Sequence, residues 1–197
     1  MAKNNHMNYK ELFHRALLLI SSPAPAWEEI RLEEDKRKVF TAFVYPMIGL
    51  CGLSVFLGSL FSRGWGGPES FRYAMTQCCA IAVALFGGYF MAANLIHHYA
   101  SRMLNLAVEK NQILQLAGYS MVVIFCLRII LALMPDFQII ALLLQFYTVY
   151  IVWEGSARLL QINEENRLKF TLVSSVALLC SPVIIEWIFD KLTFFLN

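Results

Sequence analysis

Residues 73–101 read YAMTQCCAIAVALFGGYFMAANLIHHYAS and contain no Asp, Glu, Lys or Arg. A helix rises about 1.5 Å per residue and a hydrocarbon core is about 30 Å thick, so roughly 20 apolar residues cross a bilayer. This stretch is longer than that. Four further segments behave the same way: 39–62, 137–153 and 170–185 are free of charge, and 111–135 is interrupted only by Arg128. In lipid every backbone polar group must be satisfied within the chain, and helices do this segment by segment. The expected fold is an all-α polytopic bundle with five transmembrane helices at about 39–61, 72–97, 112–134, 137–160 and 168–189.

Composition agrees. The chain of 197 residues is 58% hydrophobic and 15% charged, with mean hydropathy +0.57; a soluble domain carries about 25% charged residues. The connections are too short for a second folded unit, which leaves one membrane domain, 39–197, behind a cytoplasmic segment, 1–38. A net charge of +2 with no basic, aromatic-studded stripe excludes nucleic acid as a partner. The longest early apolar run, Ala16–Ile20, is followed by prolines and acids, unlike a cleavable leader, so the first span is expected to act as the anchor. Cys51, Cys78, Cys79, Cys126 and Cys180 all fall in spans, where thiols pack as small hydrophobes. No metal and no cofactor are expected.

The first 38 residues hold 13 of the 30 charges. Tyr9, Leu12, Phe13, Ala16, Leu17 and Ile20 recur at helical spacing opposite Lys10, Glu11, His14 and Arg15, an amphipathic helix of about three turns. Ser21-Ser22-Pro23-Ala24-Pro25 ends it, and a second short amphipathic piece starts at Trp27 and Ile30. Beside a membrane such a stripe lies in the headgroup layer, with Trp27 as an interface anchor, or docks a soluble partner. Phe13, Leu17 and Trp27 are the expected contacts in either case. Gly64-Trp65-Gly66-Gly67-Pro68 marks the turn between the first two spans and Pro135-Asp136 the hairpin between the third and fourth.

Basic residues flanking the spans set orientation. With the N-terminus inside, 12 fall on the inner side and three (Arg63, Arg72, Lys191) on the outer. The N-terminus is expected in the cytoplasm and the C-terminus outside.

Within the spans, Ala80, Ala84, Gly88 and Ala92 repeat every four positions and form a groove for close helix packing. Gly49, Gly52, Ser54 and Gly58 make a similar surface on the first span, its expected partner. Arg128 and Glu186 lie at matching depth in the outer halves of two spans that run in the same direction. A charge at mid-membrane costs about 2.5–3.5 kcal/mol on insertion scales, so the two are expected to pair. The other readings are that each reaches water on its own, that Asp136 or Asp190 serves Arg128, or that both charges line a transport path. His97 and His98 are adjacent and face different sides of their helix, which disfavours a shared metal. Pro46 and Pro182 are expected to kink their helices. No nucleophile–base pair or metal-ligand spacing of a membrane enzyme is present, so the chain is expected not to be one.

Several short elements carry a family resemblance. The run Pro23-Ala24-Pro25-Ala26-Trp27-Glu28-Glu29-Ile30 ahead of the first span resembles the Pro…Trp…Ile opening of bacterial members of the YIP family, the Ypt/Rab-interacting membrane proteins. Gly118-Tyr119-Ser120 in the third span is similar to that family's Gly-Tyr-Ser element. The exit of the fourth span from Gly155 to Leu160 and the turn Asn163-Glu164-Glu165-Asn166 also fit. The resemblance implies five spans, a cytoplasmic N-terminus and, for a short bacterial-type member, residence in the inner membrane. Eukaryotic relatives resemble adaptors for Rab GTPases. This chain departs from them in its short N-terminal segment and in lacking their Asp-Leu-x-Gly-Pro element, so a Rab-type GTPase is not an expected partner.

These readings converge on a non-enzymatic membrane protein that organises lipid or binds a protein partner, or itself through its spans. The alternative is a small transporter or channel using Arg128, Glu186 and the kinked helices.

Overall fold

The structure, a computed structural model, describes residues 9–33, 35–36, 38–63 and 67–196. Gly64, Trp65 and Gly66 of the expected turn lie outside the described residues, as do Lys3 and Arg37 of the basic count. The N-terminal segment forms two helices, α1 (Tyr9–Ser21) and α2 (Pro23–Arg31). The first span is a π-turn, Phe40–Val44, leading into α3 (Tyr45–Arg63), and the second is α4 (Pro68–Arg102). The third comprises α5 (Lys110–Ser120) and α6 (Val122–Leu133). A 3₁₀ turn, Pro135–Phe137, starts the fourth, which continues as α7 (Gln138–Gln145) and α8 (Tyr147–Arg158). The fifth is α9 (Glu164–Leu196). The described residues thus contain five helical segments long and apolar enough to cross a membrane, in an all-α bundle. The helices of the second and fifth spans run beyond the segments expected to span, from Pro68 to Arg102 and from Glu164 to Leu196.

Local chemistry explains the irregular points. Pro46 has no N–H for the Ala42 carbonyl, and its ring crowds that carbonyl. The turn ahead of it is widened, with the Tyr45 N–H donating to Phe40 across five residues. At Pro182, α9 continues through the proline without ending. The connections after α4 and α8 each place a non-glycine residue in the left-handed region, Asn105 at φ 48° and Gln161 at φ 52°. These let the Leu106 and Ile162 N–H groups fold back onto the Ala100 and Ser156 carbonyls at 3.0 Å.

The small-residue groove of α4 is filled, though its partner differs from expectation at its tightest point. Ala80, Ala84, Gly88 and Ala92 are all buried. A Cβ at residue 88 would lie 2.7 Å from the Pro182 backbone, so α9, rather than the first span, presses on Gly88. Gly52 of α3 does meet α4, at Cys78, whereas Gly58 abuts the Ala132 carbonyl of α6. Glycine permits each of these approaches because a helix without side-chain bulk lets a neighbouring backbone come close. The centre of the bundle is lined by Leu85, Tyr89, Leu116, Met121, Phe125 and Phe170, all fully buried.

Candidate functional site

The N-terminal hairpin closes one end of the bundle. Pro23 opens α2, a position where its missing N–H costs nothing and its fixed φ suits a helix. One face of α1, made by Leu12, Ala16 and Leu19, and one face of α2, made by Ala26, Trp27 and Ile30, are buried. Trp27 is 0% exposed and its indole N–H donates to the Ile151 carbonyl of α8 at 2.9 Å. The expectation that Trp27 anchors in the headgroup layer or contacts a partner is therefore corrected. Its ring lies against Gly155, where a Cβ would come within 2.8 Å of the indole, and meets Tyr119 edge-on at 6.2 Å. Burying an indole is favourable only when its N–H finds an acceptor. Here the α8 backbone provides one.

Charge fastens the same hairpin. The Glu33 carboxylate receives the Arg15 guanidinium at 2.8 Å, the Gln115 amide at 3.1 Å and the Tyr119 hydroxyl at 3.3 Å. The Gln115 amide also donates to the Ile30 carbonyl at 3.3 Å, and the Arg15 guanidinium lies 5.8 Å from the centre of the Tyr119 ring. At the tip of the hairpin the Tyr147 hydroxyl donates to the Ile20 carbonyl at 2.8 Å. At its side Arg158 joins Glu154 at 2.9 Å and Glu28. Around the half-buried Glu33, hydrogen bonds to charged groups contribute about 1.5–3 kcal/mol each where water is excluded. Residues from α1, α2, α5 and α8 are thereby held as one unit.

Three of the four elements that carried the family resemblance meet in this unit. Trp27 from the Pro-Trp run packs between Tyr119 of the Gly-Tyr-Ser element and Gly155 at the exit of the fourth span. Gly118 has a separate duty: a Cβ there would come within 2.8 Å of Val39 and 2.9 Å of Val44, where the first span enters. Ser120 is buried, and its hydroxyl has no partner among the described residues. Sequence reasoning passed over Glu33 and Gln115. A signal for Gln115 was present, since it is a polar residue four positions before Tyr119 and so on the same helix face.

On the outward side of α1, Tyr9, Phe13 and Leu17 stand four residues apart and are 55%, 59% and 67% exposed. This ridge is apolar like the buried face but points away from the protein, and it is flanked by the exposed Lys10 and His14. The α1 helix is thus apolar on two sides, one facing protein and one facing outward.

Away from the hairpin, Arg128 of α6 and Glu186 of α9 form a two-pronged ion pair, with contacts of 3.2 and 2.5 Å. Both side chains are partly accessible at the bundle surface, 25% and 30%. His97 is half-buried and His98 exposed, and among the described residues no three His, Cys, Asp or Glu side chains converge as metal ligands.

A bundle of five apolar spans with an amphipathic hairpin locked across one end defines a polytopic integral membrane protein. Comparison with known families adds one finding. A family model described as the Yip1 domain matches residues 17–185, and the chain belongs to that family, the YIP family. The matched range begins within α1 and so takes in Trp27, Tyr119 and Gly155 together. Neither curated proteins nor solved structures give a match.

Proposed function

We propose that this protein is a non-enzymatic membrane scaffold, with its N-terminus in the cytoplasm and its C-terminus outside. The observation that carries the reading is the rigid presentation of the Tyr9, Phe13 and Leu17 ridge by a hairpin that is itself locked to the spans. An isolated amphipathic segment orders only when it binds. This one is already ordered, so its outward face is available to lipid or to a partner protein without a further ordering cost. The basic residues flanking the spans support the orientation, and a bacterial inner membrane suits a short member of the family. The transporter alternative has Arg128, Glu186 and the kinked helices lining a path, and against it stands the mutual neutralisation of the two charges.

Photo-reactive residues placed at Phe13 and Leu17 in native membranes test the reading. They are expected to cross-link lipid or a second protein, while one at Trp27 links only within the chain. Products confined to the chain at all three positions would remove the scaffold reading. Ion or solute flux in liposomes that Glu186→Gln abolishes would put the transporter in its place. Accessibility labelling of the two chain ends checks the orientation.

A further inference from the structure

A cavity of about 490 Å³ opens on another side of the bundle, between the start of the first span, α4 and the first turn of α5. That volume lies in the range of small-molecule sites, about 300–1,000 Å³. Phe40, Tyr89, Phe90 and Leu114 give it largely apolar walls, and Lys36 and Lys110 line it as well. Asn111 lines it too; the Tyr89 hydroxyl donates to the Leu114 carbonyl at 3.1 Å, and Thr41 donates to the Lys38 carbonyl at 3.5 Å. Lys36 lies 3.0 Å from the Glu109 carboxylate, which is 68% exposed. Lys110 has no ion-pair partner among the described residues.

The apolar surface does not stop at the cavity. Phe40 meets Tyr45 at 4.1 Å, Tyr45 stacks on Phe86 at 5.7 Å, and Phe86 meets Phe90 at 5.1 Å. Tyr45 and Phe86 are 44% and 38% exposed, so this aromatic track lies open along the outside of the first two spans. Phe40 and Phe90 line the cavity beside the lysines, and Tyr45 and Phe86 lie about one helical turn beyond them along the first two spans. A soluble anion would leave the track unused, and an uncharged lipid would leave the ammonium groups unused. One class of molecule uses both.

We propose that this cavity binds an anionic phospholipid from the leaflet on the hairpin side. Its phosphate lies between Lys36 and Lys110, and an acyl chain follows Phe40, Tyr45, Phe86 and Phe90. The site is distinct from the α1 ridge and does not depend on the scaffold reading.

Native mass spectrometry of the full chain in detergent, titrated with phosphatidylglycerol or with phosphatidylcholine of the same chain length, tests it. The protein is expected to retain phosphatidylglycerol preferentially. Lys36→Gln with Lys110→Gln should weaken that binding roughly ten- to thirtyfold and leave phosphatidylcholine unchanged. Glu109→Gln, which removes the competing carboxylate, should strengthen it, a gain that a misfolded chain would not show. Glycerol phosphate at the same concentration should fail to displace the lipid. Changing Tyr9, Phe13 and Leu17 to Ser should leave the preference intact, which separates this site from the ridge. Equal binding of the two lipids, an undiminished preference in the double-lysine variant, no gain in Glu109→Gln, or displacement by glycerol phosphate would each overturn the proposal.

Discussion

Trp27 and Gly155 are complementary surfaces: a Cβ at residue 155 would stand 2.8 Å from the indole, and the missing methyl is the space the ring occupies. One residue lies before the first span and the other near the end of the fourth, so their contact ties the N-terminal hairpin to a bundle that forms largely from later sequence. The Trp27 hydrogen bond to Ile151 sets the ring's orientation, and the Glu33 cluster fixes the end of the hairpin where the chain turns toward the first span. The outward ridge on α1 owes its position to these buried contacts.

Filling the notch should loosen the hairpin without unfolding the spans. Gly155→Ala forces about 1–3 kcal/mol of overpacking, and Trp27→Ala leaves a cavity and costs about 3–5 kcal/mol. Hydrogen exchange is expected to rise through α1 and α2 in both variants, with α4 and α9 unchanged. Protection of the hairpin equal to that of the unaltered protein would contradict the role given to this contact.

Glu33→Gln keeps the shape of the carboxylate and removes its charge. Arg15 is then left beside Tyr119 and Gln115 without its counter-ion, at a cost of about 1–3 kcal/mol. The expected readout is faster protease cleavage on the 32–38 connection. Arg15→Gln should give a comparable change, and the two together should cost less than their sum, because each single change already breaks the same pair.

The spans were legible because exclusion of charge over a long window requires no knowledge of neighbours. The amphipathic nature of α1 was legible for a similar reason, since its period is local. Directions were harder. A tryptophan after a proline-rich turn has the same local sequence whether it faces headgroups or protein, and only the distant notch at Gly155 decides it. The Ala80, Ala84, Gly88 and Ala92 repeat announces a groove, but its occupant at Gly88 is Pro182, three spans later in the chain. Glu33 was hidden within a run of acids, each alike until the fold brings Arg15, Gln115 and Tyr119 to one of them.

Glycines in the spans should separate by what stands over them. Gly88→Val would drive its side chain into the Pro182 backbone, where a Cβ alone would lie at 2.7 Å. Backbone atoms cannot turn aside as a flexible side chain can, so the cost should exceed about 3 kcal/mol and lower the unfolding temperature in detergent sharply. Gly49 has nothing within 4 Å of the same position. Gly49→Ala should be neutral or stabilise by up to about 1 kcal/mol through helix propensity. Equal effects at the two sites would show that α4 and α9 are not pressed together at Gly88.

The ion pair between α6 and α9 gives a test in which sign matters. Arg128→Leu leaves Glu186, and Glu186→Leu leaves Arg128, each with a charge at the bundle surface that faces lipid. Each single change is expected to cost about 3 kcal/mol. The double change removes both charges and leaves two apolar side chains in an apolar setting, so it should be close to neutral. The resulting coupling, about 6 kcal/mol if the double change is neutral, is measured by thermal unfolding of the four proteins in one detergent. Exchanging the residues, Arg128→Glu with Glu186→Arg, should recover part of the stability, because the two side chains approach with both prongs and either can bear either charge. Additive losses in the double variant would mean that each charge finds its own route to water and that the contact contributes nothing to the joining of the two spans.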